Sequence, residues 1–278
     1  MSVLLSLLAA ASYGLSDFLG GLVSKRAGAW PVAFVAQVGT CVVLLTVGLL
    51  TPGSPTLGDF GWAVAAGVAN GSGTAFLYRG LAAGRMGVVA PVSGVGAALV
   101  PVMIALVLGE RPAPPVWAGI IAAGPGIWLV SREAPQAGTD REPRGGLLDG
   151  VLAGLGFGSL FAILAQIPPE AGLFPLALNQ AVAAIAVIAT AVAVGGDWVP
   201  RQRIALVGVV SGCLGAVATF AFLVASNIGY LSIAAVLTAL YPAGTVLLAA
   251  LVLHEHIHRG QAAGLALCGL AVTLVAAG

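Results

Sequence analysis

The stretch "ALVLGE" (Ala105 to Glu110) returns as "ALVLHE" (Ala250 to Glu255), 145 residues further along the chain. One apolar echo is weak, so the register has to be followed outward. At the same offset of 145, Gly67 meets Gly212, Thr74 meets Thr219, Gly84 meets Gly229, Gly119 meets Gly264 and Gly124 meets Gly269. At 144, Gly14 meets Gly158 and Pro31 meets Pro175. A near-constant register from end to end marks an internal duplication.

The duplicated unit is built for lipid. The 278 residues are 59% hydrophobic and 8% charged, against a charged share of about 25% in soluble domains. A membrane helix needs about 20 mostly apolar residues. Cutting at charges, prolines and polar clusters gives ten spans: 2–24, 30–51, 59–79, 86–108, 113–130, 147–166, 172–195, 203–225, 230–253 and 260–277. The uncharged run from Ile204 to Leu253 is too long for one helix and breaks at "SNIGY" (Ser226 to Tyr230). The polar stretch "SREAPQAGTDREPRGG" (Ser131 to Gly146) has linker composition. It separates a first five-helix repeat, 1–130, from a second, 147–278. The first segment reads as a span rather than a signal peptide, since no Lys or Arg precedes it.

A repeat with an odd number of spans enters the bilayer the opposite way round the second time. The charges agree. Of the 11 Lys and Arg, ten fall on one side of the membrane (Lys25, Arg26, Arg79, Arg85, Arg132, Arg141, Arg144, Arg201, Arg203, Arg259) and only Arg111 on the other. They follow spans one and three in the first half, and spans two and four of the second. The positive-inside rule makes the ten-residue side cytoplasmic and puts both termini outside.

Ten spans in two five-helix repeats, "LGER" after span four with "LHEH" after span nine, and "YRGLAAGRMGVVAPVSGV" (Tyr78 to Val95) together resemble the drug/metabolite transporter superfamily, EamA branch. The resemblance covers essentially the whole chain. It implies an all-α membrane protein of two inverted repeats around a central cavity, without cofactor, in the inner (cell) membrane. It also implies efflux of a small metabolite, amino acid or drug-like solute, and termini inside, opposite to the charge count.

Within the spans, "YGLSDFLGG" (Tyr13 to Gly21) carries an acid, and a lipid-facing Asp at a helix centre costs about 2.5–3.5 kcal/mol. On a helix Tyr13, Ser16, Asp17, Gly20 and Ser24 share one face. Facing the bundle interior, Asp17 would line a hydrated cavity and meet a cationic group or carry a proton; alternatively it bonds a nearby Ser or backbone group, or is shielded by Lys25 or Arg26. Its mate in the second repeat is Phe161, so such a site is asymmetric. Further cavity candidates are Gln37, Asn70, Ser72, Thr74, Ser93, Asn179, Gln180, Thr238 and Tyr241. Ser93 and Thr238 are repeat mates, and substrate sites sit at repeat interfaces near the midplane. The competing role for each is interhelical glue worth about 0.6 kcal/mol.

Pro91, Pro101 and Pro242 are expected to interrupt spans four and nine. "GVANG", "GVVSG" and "GQAAG" allow close helix contacts. Glu110 and Glu255 are expected to cap the following helix or pair across the interface. Cys41, Cys213 and Cys268 read as small buried hydrophobes. "HEHIH" (His254 to His258) fits H-E-x-x-H, so a zinc metalloprotease using His254, Glu255 and His258 is the rival reading; it needs an unbroken helix there. Ser72 has no histidine placed to activate it. A sensor or channel is a third class. No nucleotide-binding loop and no basic tail is present, which argues against ATP and nucleic acid as partners. A small solute, the bilayer and, at most, a second copy of the chain remain.

Overall fold

A computed structural model describes the chain except residues 83–85, 132–142, 255 and 278. The described residues are helical: α1 (Ser2–Ala27), α2 (Ala29–Leu50), α3 (Leu57–Ala82), α4 (Met86–Val107), α5 (Pro114–Ser131), α6 (Pro143–Leu164), α7 (Phe174–Ala193), α8 (Gly208–Ile228), α9 (Leu231–Thr238), α10 (Tyr241–Leu253) and α11 (Arg259–Ala277). With α9 and α10 taken as one broken span, these make ten crossings. Eight are long and apolar enough to cross a bilayer by themselves. Of the other two, α3 is diluted by Asn70 and Ser72, and α4 is an apolar helix of 22 residues, Met86–Val107.

The break in the ninth span follows from Pro242, which has no N–H to offer Thr238 and sits in the first turn of α10. The fourth span departs from expectation: α4 continues through Pro91 and Pro101 without interruption. A single proline removes one intrahelical bond, and packing against α6, α9 and α5 holds the helix on either side. The linker is also shorter than its composition suggests, because α6 starts at Pro143, a residue pre-set for a first helical turn. Cys268 is buried and Cys41 half-buried, but Cys213 is exposed on the outer face of α8.

The strongest helix pairings join the two halves, and each has a mate under exchange of the halves. α3 packs on α6 as α8 packs on α1, and α3 on α7 as α8 on α2; α4 packs on α6 as α9 and α10 pack on α1. The self-paired sets are α2 with α7, α4 with α9 and α5 with α11. The exchange holds at atomic detail. A Cβ on Gly119 would lie 2.9 Å from the Ala271 carbonyl and 2.7 Å from Val275; on Gly264 it would lie 2.9 Å from the Gly126 carbonyl and 2.8 Å from Val130. Ala271 and Val275 are Gly126 and Val130 shifted by 145. An operation that swaps the halves both ways is a twofold rotation. Five crossings per half force its axis into the membrane plane, so the repeats are inverted.

Loop contacts agree with this alternation. On one side Ser54 N–H donates to the Glu170 carbonyl and Ser2 Oγ to that of Ala225. On the other, Arg79 pairs with Asp149, and Phe34 stacks edge-on with Trp198.

Candidate functional site

A cavity of about 210 Å³ lies between the halves, walled by α1, α2, α3, α6, α7 and α8, with Ala97 of α4 and Tyr241 at the start of α10. Glycine lets its walls close up. A Cβ on Gly14 would stand 2.8 Å from the Tyr241 carbonyl, so only a glycine brings α1 this near α10. That approach sets the Tyr13 ring 6.4 Å from the Tyr241 ring, edge-on, and 6.3 Å from Phe161. Phe161 rests in turn on Phe222 at 4.6 Å. Tyr13 Oη and Thr219 Oγ1 share a hydrogen bond of 2.9 Å, and Ser16 Oγ donates to the Ser211 carbonyl, fixing α1 on α8.

Asp17 stands one helical turn beyond Tyr13 on the cavity wall, exposed to the cavity space. Leu4, Leu8 and Ala11 mark the outward face of α1, and Asp17 lies round the helix from them. Among the described residues its carboxylate has neither hydrogen bond nor ion pair. A Ser or backbone partner and an ion pair with Arg26 are thus absent among these residues, and the side chain of Lys25, the other expected shield, lies outside them. Among the described residues no Lys, Arg or His lines the cavity.

Of the sequence candidates, Tyr13, Asp17, Gln37, Asn70, Asn179 and Tyr241 come together on this wall, with Thr74 and Gln180. Asn70 Nδ2 donates to Gln180 Oε1 at 3.2 Å, tying α3 to α7. Asn179 is fully buried and both its side-chain polar atoms lack a protein partner; Ser211 Oγ is likewise unpartnered. Buried polar groups are rarely left so, which marks both as places for water or solute. Ser93 and Thr238 are elsewhere. Both are buried on α4 and α9, which pack together; Ser93 Oγ donates to the Ala90 carbonyl and Thr238 Oγ1 has no partner. Ser72 bonds its own helix at Ala69.

Sequence reading did not single out Thr40, Ser211 or Thr219. The repeat register could have found Thr219, mate of Thr74, since both line the cavity. It also pairs Tyr13 with Phe157, Ser16 with Leu160 and Asp17 with Phe161, and all six residues are lining. The α1 wall is thus polar where the α6 wall is apolar. Pro101 adds one more feature, since it removes the intrahelical donor of the Ala97 carbonyl at the cavity.

Glu110 closes the turn after α4 and reaches into the other half. Its carboxylate accepts from Leu231 N–H at 2.6 Å, Ser232 N–H at 3.1 Å and Ser232 Oγ at 2.5 Å, capping α9 rather than the following helix. Its mate Glu255 lies outside the described residues. The rival zinc site fails on its helix: α10 ends at Leu253, His254 turns left-handed at φ 55°, and residues 256–258 are not helical. Among the described residues no group of three His, Cys, Asp or Glu could hold a metal.

These features define a polytopic membrane protein whose two inverted halves enclose a partly polar cavity. The chain belongs to the EamA-like transporter family, whose pattern it matches over residues 1–132 and 144–277. It is accordingly a secondary transporter of small solutes, not an enzyme. A solved crystal structure, described only as that of a protein, shares the fold at TM-score 0.72 with 19% identity, covering 98% of this chain and 95% of its own. Among curated proteins no relative matches.

Proposed function

We propose that the chain exports a small, partly apolar solute across the inner membrane by alternating access, as a monomer or homodimer, with Asp17 as the ionisable group that meets the solute or a coupled proton. The observation that carries this reading is an unpartnered carboxylate in a 210 Å³ cavity bounded by both halves. A twofold in the membrane plane gives the same bundle two mirror-like ways to open, one to each side. The Glu110 cap supports this: it joins the first half to the broken ninth span, where releasing it would free α9. Export, rather than uptake, rests on the family likeness.

Proteoliposome counterflow tests the carrier reading. Saturable exchange of a solute found by screening export from overexpressing cells is expected, and linear, unsaturable leakage would sink it.

Orientation follows the charges in this reading. Arg79 is held by Asp149 and counts for less, yet the remaining basic residues still crowd one side. Both termini are then outside, and Cys213 gives a native thiol to remove before labelling. A single cysteine near residue 276 should react with an impermeant maleimide in intact spheroplasts; reaction only after lysis would reverse the orientation.

A further inference from the structure

We propose that the solute this cavity takes is a small organic monocation, an amine or quaternary ammonium carrying a compact apolar body. The inference rests on the transporter reading above and names its substrate class. Among the described residues Asp17 is the one charged side chain on the wall, and none that lines it is basic. A monocation neutralises the site; a zwitterion leaves one negative charge uncompensated, and an anion adds a second.

The geometry around the acid fits an ammonium group. Tyr13 is flanked by Phe161 and Tyr241 at 6.3 Å and 6.4 Å, and all three rings line the cavity beside Asp17. Ring faces attract organic cations, most strongly where water is excluded. Independently of the acid, Asn179 is 0% exposed with an unpartnered amide, and Ser211 has an unpartnered hydroxyl; both border the same space. They offer hydrogen bonds to further N–H groups of an amine.

The asymmetry across the twofold supplies the rest. The polar α1 wall, with Phe161 against it, faces the head of the solute, and Phe157 and Leu160 further along α6 receive its apolar body. At about 210 Å³ the space suits a compact apolar body rather than a long chain.

The test uses the full-length purified chain and four probes that share a phenethyl unit: phenethylamine (cation), phenylalanine (zwitterion), phenylpropionate (anion) and phenylethanol (neutral). Binding is read by calorimetry in detergent and transport by counterflow in proteoliposomes. Phenethylamine should bind at least about tenfold tighter than the other three, the worth of one charge-assisted contact. Asp17→Asn should erase that preference while leaving the unfolding temperature near wild type. Should that variant unfold, Phe161→Leu serves instead, with an expected several-fold loss for the amine restored by Phe161→Tyr. If phenylalanine or phenylpropionate binds as well as the amine, or Asp17→Asn binds the amine undiminished, the monocation inference is overturned. Counterflow of phenylalanine would in that case still leave the chain a carrier. Binding of none of the four also overturns the inference, whereas the carrier reading falls only if the export screen and counterflow yield no saturable solute.

Discussion

Gly119 meets Ala271 and Val275 at one crossing of α5 with α11, and Gly264 meets Gly126 and Val130 at its mate. At the cavity the same register sets Asp17 against Phe161 and Ser16 against Leu160. The packing at this crossing therefore repeats partner for partner, whereas the lining does not repeat even in polarity. Backbone-to-backbone packing punishes any added atom in either copy. A side chain on the cavity wall meets open space on one side, so each copy is freer to carry different chemistry. In the proposed reading, symmetry makes the two access states nearly equal in packing, and asymmetry gives the solute a head end and a tail end.

The largest expected effect comes from moving the acid across the twofold. Asp17→Asn removes a charge-assisted contact worth about 1.5–3 kcal/mol, a roughly ten- to hundredfold loss of flux. Amine binding by the wild type should weaken as pH falls, because acid protonates the carboxylate that holds the cation; Asp17→Asn should be flat. The phenols of Tyr13 and Tyr241, the other titratable groups on this wall, stay protonated over that range. The double change Asp17→Phe with Phe161→Asp should regain much of the lost flux, since both positions border one space. Initial rates in proteoliposomes decide this, and failure to recover any would mean that the α1 wall matters for more than its charge.

Next come the glycine crossings. Gly119→Leu and Gly264→Leu each drive a side chain into a carbonyl 2.9 Å from the first added carbon. Overpacking of this kind costs about 1–3 kcal/mol. Both variants should lower the thermal unfolding midpoint by similar amounts; a large drop in one and none in the other would contradict the twofold.

Glu110→Ala is smaller and local. Losing a side-chain cap costs about 1–2 kcal/mol, so the first-turn amides of α9, Leu231 and Ser232, should exchange hydrogen about five- to thirtyfold faster. Unchanged protection would show that another group satisfies them.

Much of this arrangement is legible in the sequence, and the limit has a physical cause. Register and parity give the inverted repeats, because glycine pairs and charges report on packing and side. The face of α1 is legible because one acid is too costly to leave in lipid. The cavity's hydroxyls and amides are harder: Thr40 bonds the carbonyls of Ala36 and Gly212 and still borders the cavity, while Ser93 bonds its own helix and does not. A hydroxyl in a membrane helix can satisfy itself locally, so its presence says little about which way it points. Nor could the sequence show that Glu110 caps α9. Two segments 121 residues apart meet there only because the twofold brings them to one face.

The smallest effect is expected at Ser93 and Thr238, the mates whose symmetry alone nominated them. A position related by the axis gains nothing from that relation if it falls where α4 packs on α9, away from the cavity. Thr238 is fully buried with an unpartnered hydroxyl, and an unmade bond is a cost in the folded state. Thr238→Val keeps the shape and removes the orphan, so stability should hold or rise slightly and flux should stay within about twofold. Ser93→Ala loses one bond to its own helix, a net change of about 0.5–1.5 kcal/mol at most. If either substitution instead removes counterflow while the protein stays folded, the solute's path runs along the axis between α4 and α9, and the asymmetric cavity is not where recognition occurs.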